Sequence, residues 1–182
     1  IEEAQALLKA AQDSKRVLFP CHNYKHAPVV KAIREIIDSG KIGKVRSCTL
    51  NTFRNTHAKG VNEWRTHWRR EKRFSGGGIA MDHGSHTFYL TFDWMNAYPT
   101  QVTAKMSILE PDRYDTEDNF SAVLTIPTGL AHVHLTWTAG VRKVIYTVQG
   151  EKGAITVDDD EIQIATQHKT EGPDVAQGAI KW

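Results

Sequence analysis

The sequence predicts an α+β domain in which helices cover one face of a mostly antiparallel sheet. Two amphipathic helical patterns come early in the 182 residues, and a third follows a run of glycines near the middle. From residue 101 onward, apolar residues recur at every second position in short segments separated by tight turns. Helices that precede a series of strands are typical of an α+β fold, and tight turns favour antiparallel pairing.

The N-terminal part is predicted to form a helix, a strand and a second helix. Residues 1–14 carry apolar side chains at helical spacing, with two glutamates where a helix begins. Residues 16–21 form a short apolar run of strand length. The second helix is expected over residues 28–39, with Pro28 in its first turn and a glycine directly after its end.

The middle of the chain combines one strand, a long loop and a central helix. Residues 45–54 alternate between apolar and polar side chains, which predicts a strand with one buried face. Residues 55–75 lack periodicity, so we expect a long loop with one helical turn at 64–69. The glycines at 76–78 permit a tight bend and the close approach of a ligand, and a helix is predicted from there to Asn96.

The C-terminal part is predicted to be an antiparallel meander. Turn residues at 127–129 and 150–153 each indicate a hairpin. The polar tail after His168 is expected to be poorly ordered. The predicted strands cover residues 102–109, 119–126, 131–138, 142–149, 154–157 and 161–165.

Composition and charge exclude several classes of function. A formal net charge of +2 gives no reason to expect nucleic acid or a membrane surface as a partner, and no apolar run is long enough to span a bilayer. Cys21 and Cys48 fit buried free thiols in a reducing compartment. The chain lacks a signal peptide and an initiator methionine, so we expect a fragment of a longer cytoplasmic protein. The basic stretch 65–73 is either a solvated loop or a loop that contacts an anion or another protein.

Asp82 and His86 are the strongest candidates for chemistry. They are four residues apart, so they share one face of a helix, and a carboxylate beside an imidazole is suited to moving protons near neutral pH. The alternative is an ordinary surface pair. His132 and His134 alternate on one strand and, with His83 and His86, raise the separate hypothesis of a zinc-dependent hydrolase. No familiar zinc spacing joins the four, so we predict no metal.

Four stretches together resemble the Gfo/Idh/MocA family of NAD(P)-dependent sugar and inositol dehydrogenases. The most specific of them is the glycine segment that leads into the Asp82–His86 helix. The four stretches are His22-Asn23-Tyr24-Lys25 through Pro28 and Gly43, Gly76-Gly77-Gly78 through Asp82-His83-Gly84-Ser85-His86, Glu117-Asp118, and Gly150-Glu151-Lys152-Gly153-Ala154-Ile155.

The resemblance implies a division of the chain. Residues 1–22 would be the last helix and strand of a Rossmann domain, and residues 23–182 a substrate-binding and oligomerisation domain like the C-terminal domain of glyceraldehyde-3-phosphate dehydrogenase. The family's glycine-rich nucleotide turn and its Glu-Lys-Pro motif are absent from this chain. NAD or NADP would therefore be bound mainly by residues upstream, and the isolated fragment would be inactive.

The resemblance also implies roles for individual residues. The reaction would oxidise a hydroxyl group of a sugar or polyol, with a hydride passing to NAD(P). His86 would be the general base, and Asp82 would orient it and stabilise the imidazolium, or would bind a substrate hydroxyl. Asn23 and Tyr24 would contact the cofactor, although Asn23 equally suits a turn. Substrate contacts would come from Trp64, Arg65 and His83.

The resemblance also implies that the protein binds other copies of itself. A sheet of this type often packs against a second subunit, so a homodimer or homotetramer is expected. Residues 136–138 and 144–146 are predicted to leave an apolar sheet surface for this contact, unless helices of the same chain cover it. The alternative function is a non-catalytic dimerising or ligand-binding sheet domain.

Overall fold

The computed structural model describes residues 1–166 and the backbone of residues 170–171; most of the tail predicted to be poorly ordered lies outside them. None of the helices within the described residues is both long and apolar enough to cross a membrane. The helices are Glu2–Ser14 (α1), Pro28–Asp38 (α2), Lys72–Ser75 (α3), Ile79–Asp82 (α4) and Gly84–Met95 (α5), with 3-10 turns at Asn23–His26 and Trp68–Arg70. The strands are Val45–Phe53 (β1), Gln101–Ser107 (β2), Asn119–Ile126 (β3), Gly129–Thr136 (β4), Lys143–Gly150 (β5), Gly153–Asp158 (β6), Glu161–Thr166 (β7) and Thr170–Glu171 (β8).

The strands form one sheet in the order β2-β3-β4-β1-β5-β6-β7-β8. All neighbours pair antiparallel except β1 and β4, which are parallel. Strand β1 therefore lies near the centre, where Leu50 pairs with Val133 of β4 on one side and with Tyr146 of β5 on the other. This arrangement confirms the predicted α+β class and its mostly antiparallel sheet.

The core lies between the sheet and helices α2 and α5. Each strand from β3 to β6 buries alternate residues, as its sequence predicts. Helix α2 contributes Val30 and Ile33, and α5 contributes Leu90 and Trp94. Burying one large apolar side chain stabilises a fold by roughly 1.5–3 kcal/mol, so these faces hold the helices on the sheet.

The opposite face of the sheet carries no helix among the described residues and is largely polar. Trp137 and Tyr146 are buried, so the prediction that they contribute to an exposed apolar surface is wrong. They share the side of the sheet on which the helices pack, where an aromatic ring gains most from burial. The open face instead shows side chains such as Leu130, His132 and the half-buried Ile145.

The strand predicted over residues 16–21 does not form. These residues have no regular secondary structure, and Val17 and Phe19 are exposed, because a strand needs a hydrogen-bonded neighbour and the described residues offer none here. Cys21 is exposed, contrary to expectation, whereas Cys48 of β1 is buried. Burial raises the pKa of the Cys48 thiol to about 12, so it stays protonated and inert.

Candidate functional site

The glycine segment before α4 is fixed against Glu117. Gly76 has a φ of +74°, a conformation that other residues rarely adopt, and a Cβ on Gly78 would lie 1.8 Å from the carbonyl oxygen of Glu117. The Glu117 carboxylate accepts hydrogen bonds from the N–H groups of Gly78 (2.7 Å) and Ala80 (3.2 Å). Its carbonyl oxygen accepts a third from Ile79 (2.9 Å). The close approach allowed by glycine therefore anchors the start of α4.

The central helix predicted from this segment to Asn96 is interrupted at His83, between α4 and α5. The interruption comes directly before a glycine, the residue that favours helix least after proline. Asp82 ends α4 and His86 lies in the first turn of α5. The pKa of His86 is lowered because burial disfavours the charged ring, and the negative charge of Asp82 acts in the opposite direction. The two side chains interact through charge, and no hydrogen bond between them is formed.

Asp82 is held by an arginine from the long loop. Its Oδ1 accepts a hydrogen bond from Arg69 Nε at 2.8 Å, and both side chains are only about one-fifth exposed, at 20% and 23%. Arg69 is fixed in turn by a hydrogen bond from Nη1 to the Ala58 carbonyl (3.2 Å) and by packing over the Trp68 ring at 4.4 Å. This pair neutralises the carboxylate in a partly desolvated place.

His86 is positioned by two tyrosines. Its ring stacks on Tyr24 with centroids 4.0 Å apart and an interplanar angle of 11°. Its Nδ1 lies 2.8 Å from Tyr89 Oη, which also accepts a hydrogen bond from the Tyr24 N–H at 3.1 Å. Burial raises the pKa of Tyr89, so its phenol stays protonated. Because Nδ1 is engaged, Nε2 is the ring nitrogen left to meet a ligand.

The 3-10 turn that carries Asn23 and Tyr24 is tied to α5. Lys25 Nζ forms an ion pair with Asp93 Oδ1 at 2.8 Å, and Arg34 Nη1 donates to the Asp93 carbonyl at 2.8 Å. These contacts, together with the bond to Tyr89, hold the Tyr24 ring over His86. Asn23 itself is exposed.

Two openings flank the segment from Asp82 to Tyr89. A cavity of about 170 Å³ lies beside Asp82 and is lined also by Arg69, Gly78 and Met81. A wider groove of about 1380 Å³ is bordered by Tyr89 and runs along the C-terminal part of α5. Asp82 thus borders the smaller cavity and Tyr89 the wider groove, whereas His86 is in the lining of neither.

His83 is the most enclosed of the predicted contacts. Its side chain is 13% exposed, and its Nε2 lies 3.8 Å from Asp82 Oδ2. Burial lowers the pKa of His83 to about 4; Asp82 opposes this effect, and the charges of Arg54 and Arg69 add to it. His83 is therefore a neutral ring at pH 7.

Trp64 and Arg65 lie on the outer side of the loop. The Arg65 guanidinium is 3.8 Å from the centroid of the Phe74 ring, and Trp64 packs edge-on against the same ring at 6.4 Å. Neither residue lines the cavity beside Asp82, whereas Trp68 and Arg69 do. The loop thus reaches the site, through residues other than the two predicted from the sequence.

The histidines of the zinc hypothesis are separated by the sheet. His132 and His134 lie on the open face, where His134 Nδ1 is 2.6 Å from Ser121 Oγ, while His83 and His86 lie on the helical side. Within residues 1–166, no three metal-ligating side chains are grouped so that they would hold an ion.

A second pair of histidines is buried under the long loop. His57 is almost fully buried; its Nε2 lies 3.0 Å from His67 Nδ1 and its Nδ1 lies 3.3 Å from Tyr114 Oη. Burial lowers the pKa of His57 to about 4, and the positive charges of Arg70 and Arg113 lower it further. His57 is therefore neutral at pH 7, and its contacts with His67 and Tyr114 fasten the loop to the sheet.

Sequence reasoning missed Tyr89 and Arg69. Tyr89 follows His86 by three residues on the same helix, so helical spacing alone indicates the contact. Arg69 belongs to the basic stretch 65–73, whose partner was not identifiable without the fold because Asp82 lies 13 residues away.

Comparison with known proteins agrees with this architecture. The family model for the GFO/IDH/MocA C-terminal domain matches residues 30–156. Inositol 2-dehydrogenase of Rhizobium meliloti (strain 1021) is 27% identical over 177 residues, which cover 91% of this chain and 49% of that protein. The chain therefore spans about half the length of this relative.

Solved structures show the same fold. The structure of levoglucosan dehydrogenase in complex with NADH and levoglucosan superposes with a TM-score of 0.80 at 22% identity, over 97% of this chain and 51% of that one. An inositol dehydrogenase homolog complexed with NAD+ from Azotobacter vinelandii gives a TM-score of 0.78 at 18% identity, over 97% and 49%.

Proposed function

Because this chain belongs to the GFO/IDH/MocA family of oxidoreductases, we propose that it is the substrate-binding part of a dehydrogenase that transfers a hydride between a sugar or cyclitol hydroxyl and NAD(P). The relatives whose names include inositol and levoglucosan support a polyol or sugar as the substrate class. The proposal concerns the whole protein that contains this chain.

The observation that carries this proposal is the environment of His86. Its lowered pKa keeps the ring neutral at pH 7, so it is ready to accept a proton. For Nε2 to accept it, Nδ1 must carry the ring hydrogen and donate to Tyr89 Oη, which lies 2.8 Å away. As the substrate C–H bond breaks, the hydroxyl proton passes to Nε2 and the imidazolium keeps its donor bond to Tyr89.

Asp82 and Arg69 provide the charge beside this base. The carboxylate favours the imidazolium that forms when His86 takes the proton, because opposite charges attract. Arg69 occupies one carboxylate oxygen and fixes its direction. The second oxygen faces His83 at 3.8 Å and is available to accept a hydrogen bond from a substrate hydroxyl.

A nicotinamide, when bound, supplies the acceptor for the hydride. The residues present fit one end of such a cofactor: Asn23 offers an exposed amide, and Tyr24 presents a flat ring packed on His86. The chain has no glycine-rich turn for a pyrophosphate, so we propose that other parts of the protein hold the remainder of NAD(P).

Three residues are proposed to contact the substrate. His83 is the best supported, since it adjoins Asp82 and lies 6.5 Å from the His86 ring, centroid to centroid. Trp64 and Arg65 remain predictions from the sequence, because both pack against Phe74.

The proposal is tested by replacing His86 in the whole protein. We expect His86→Gln to lower kcat for an NAD(P)-linked polyol oxidation by about 10²–10⁴-fold while cofactor affinity stays unchanged. His132→Gln is the matched control, since His132 is exposed on the opposite face of the sheet. Unchanged turnover in His86→Gln rejects the role of the base.

We also propose that the open face of the sheet joins two copies of the chain. The face is not covered by any helix of the described residues and exposes Leu130 and Val123 among polar side chains. Sedimentation of Leu130→Glu tests this, since a charge at a self-contact separates the subunits. A stable dimer with no NAD(P)-linked turnover of any polyol favours the alternative of a non-catalytic sheet domain.

A further inference from the structure

Arg54 places a charge in the site that no other group there balances. It follows β1 directly, and its backbone is fixed: its N–H donates to the Thr136 carbonyl at 2.8 Å and its own carbonyl accepts from Ala139 at 2.9 Å. The side-chain atom Nη1 is buried and has no hydrogen-bond partner among the described residues. A buried guanidinium nitrogen without an acceptor is unfavourable, so such an atom requires an explanation.

The strand pattern directs Arg54 toward the candidate site. Side chains alternate along β1, and Leu50 and Thr52 face the helices, so Arg54 lies on the same side. The positive charge of Arg54 helps to lower the pKa of His83. Burial has a larger effect in the same direction, and Asp82 acts in the opposite direction. His83 in turn stands between Asp82 and His86, with the two imidazole rings 6.5 Å apart.

The neighbouring charges are already paired. Asp82 is bound to Arg69, and Asp93 on the far part of α5 is bound to Lys25. His83 is neutral at pH 7. Arg54 is therefore a cation beside the reaction centre with no anion from the described residues to match it.

We propose that Arg54 binds a carboxylate carried by the substrate, which makes the substrate an acidic sugar such as a uronate. This inference rests on the proposed dehydrogenase function and narrows its substrate class. A guanidinium offers two parallel N–H donors that match the two oxygens of a carboxylate, and one negative charge balances one positive charge. A neutral polyol would accept hydrogen bonds from Arg54 but would leave its charge unbalanced in a partly desolvated place. A phosphate monoester shares the same anion chemistry and is the competing source of the charge.

The test compares matched sugars on the whole protein with NAD(P). The pairs are D-glucose with D-glucuronate and D-galactose with D-galacturonate, and D-glucose 6-phosphate is the phosphate arm. For each we measure kcat/KM and, by calorimetry, equilibrium binding. We expect a uronate to exceed its neutral partner by about tenfold to a hundredfold in both measurements, the range that a hydrogen bond to a charged group supplies.

Arg54→Met should abolish this preference: KM for the uronate should rise, and the loss of kcat/KM should be at least about tenfold greater for the uronate than for the neutral sugar. Arg54→Lys keeps the positive charge without the paired donors and should retain part of the preference for the uronate. This variant keeps the proposal testable if Arg54→Met fails to fold. Arg142→Met is the matched control, because Arg142 is an exposed arginine that also adjoins the end of a strand. It should leave both sugars unaffected.

Each outcome separates the inference from the proposed function. Two results overturn the inference and leave the proposed dehydrogenase function standing. One is oxidation of the neutral sugars with no preference for uronates, and the other is an equal loss of kcat/KM for both sugars in Arg54→Met. A preference for glucose 6-phosphate that depends on Arg54 overturns the carboxylate in favour of a phosphate. Binding of uronate that depends on Arg54, without turnover of any sugar, supports the subsite and rejects the proposed function. Absence of uronate binding overturns the subsite.

Discussion

Replacing Gly78 by alanine tests whether close backbone packing anchors the site. The added Cβ would lie 1.8 Å from the carbonyl oxygen of Glu117 and 2.7 Å from its carbonyl carbon, and both are backbone atoms that cannot rotate away. The two segments must separate by about 1.6–2.2 Å to reach ordinary contact. Overpacking of this kind costs about 1–3 kcal/mol, and the three hydrogen bonds to Glu117 weaken at the same time. We expect the free energy of unfolding to fall by about 3–4 kcal/mol, which lowers Tm by about 6–16 °C.

The chain offers two controls for this substitution. A Cβ on Gly140 meets nothing within 4 Å, so Gly140→Ala should leave Tm nearly unchanged. A Cβ on Gly77 meets the Met81 Cγ at 2.6 Å, and a flexible side chain moves easily, so Gly77→Ala should cost about 1 kcal/mol or less. Thermal unfolding followed by circular dichroism compares the three variants. A Tm for Gly78→Ala equal to that of Gly140→Ala refutes the reasoning.

Three further predictions concern charge and proton binding. Tyr89→Phe removes the acceptor for the His86 Nδ1 hydrogen, so the imidazolium is less stable and the pKa of His86 falls. We expect kcat to fall about tenfold and the acid limb of the pH–rate profile to move to lower pH. An unchanged profile contradicts the contact. Arg69→Met leaves the negative charge of Asp82 unbalanced, which should raise the pKa of His86 and move the same limb to higher pH, while a shift to lower pH argues against the pair. His57 has a pKa of about 4 when folded and about 6.5 when unfolded, so the unfolded chain binds a proton that the folded chain refuses. Stability should therefore decline by up to about 3 kcal/mol as the pH falls from 6.5 toward 4, and urea titrations should show a shallower decline in His57→Gln.

The strands were predictable from the sequence because period-two alternation reports directly which face is buried. Residues 119–126 coincide with β3, and the turn at 127–129 joins β3 to β4 as expected. The same reasoning failed at residues 16–21, where an apolar run of strand length has no neighbour to pair with among the described residues. Pairing is a property of two segments, and one segment cannot reveal it.

The site was predictable only in its local part. Asp82 and His86 were proposed from their spacing on one helix; in the structure Asp82 lines the smaller cavity, and the break at His83 puts the two residues on separate helices. The partners that hold them come from distant parts of the chain: Arg69 from the loop, and Tyr24 from the 3-10 turn. The sequence does not single out Arg54, because only the fold shows that its buried Nη1 has no hydrogen-bond partner among the described residues.

The parallel pairing of β1 with β4 has a consequence for how the chain folds. Strand β1 is made early in the sequence, yet both of its partners, β4 and β5, come after the loop, the helices and the β2–β3 hairpin. During synthesis on the ribosome, both edges of β1 therefore remain unpaired until β4 and β5 emerge. Contacts between such distant segments slow folding, and a bare apolar strand invites aggregation. Faster synthesis of the segment ahead of β4, which shortens this delay, or a chaperone that covers β1 during it, should increase the yield of folded protein.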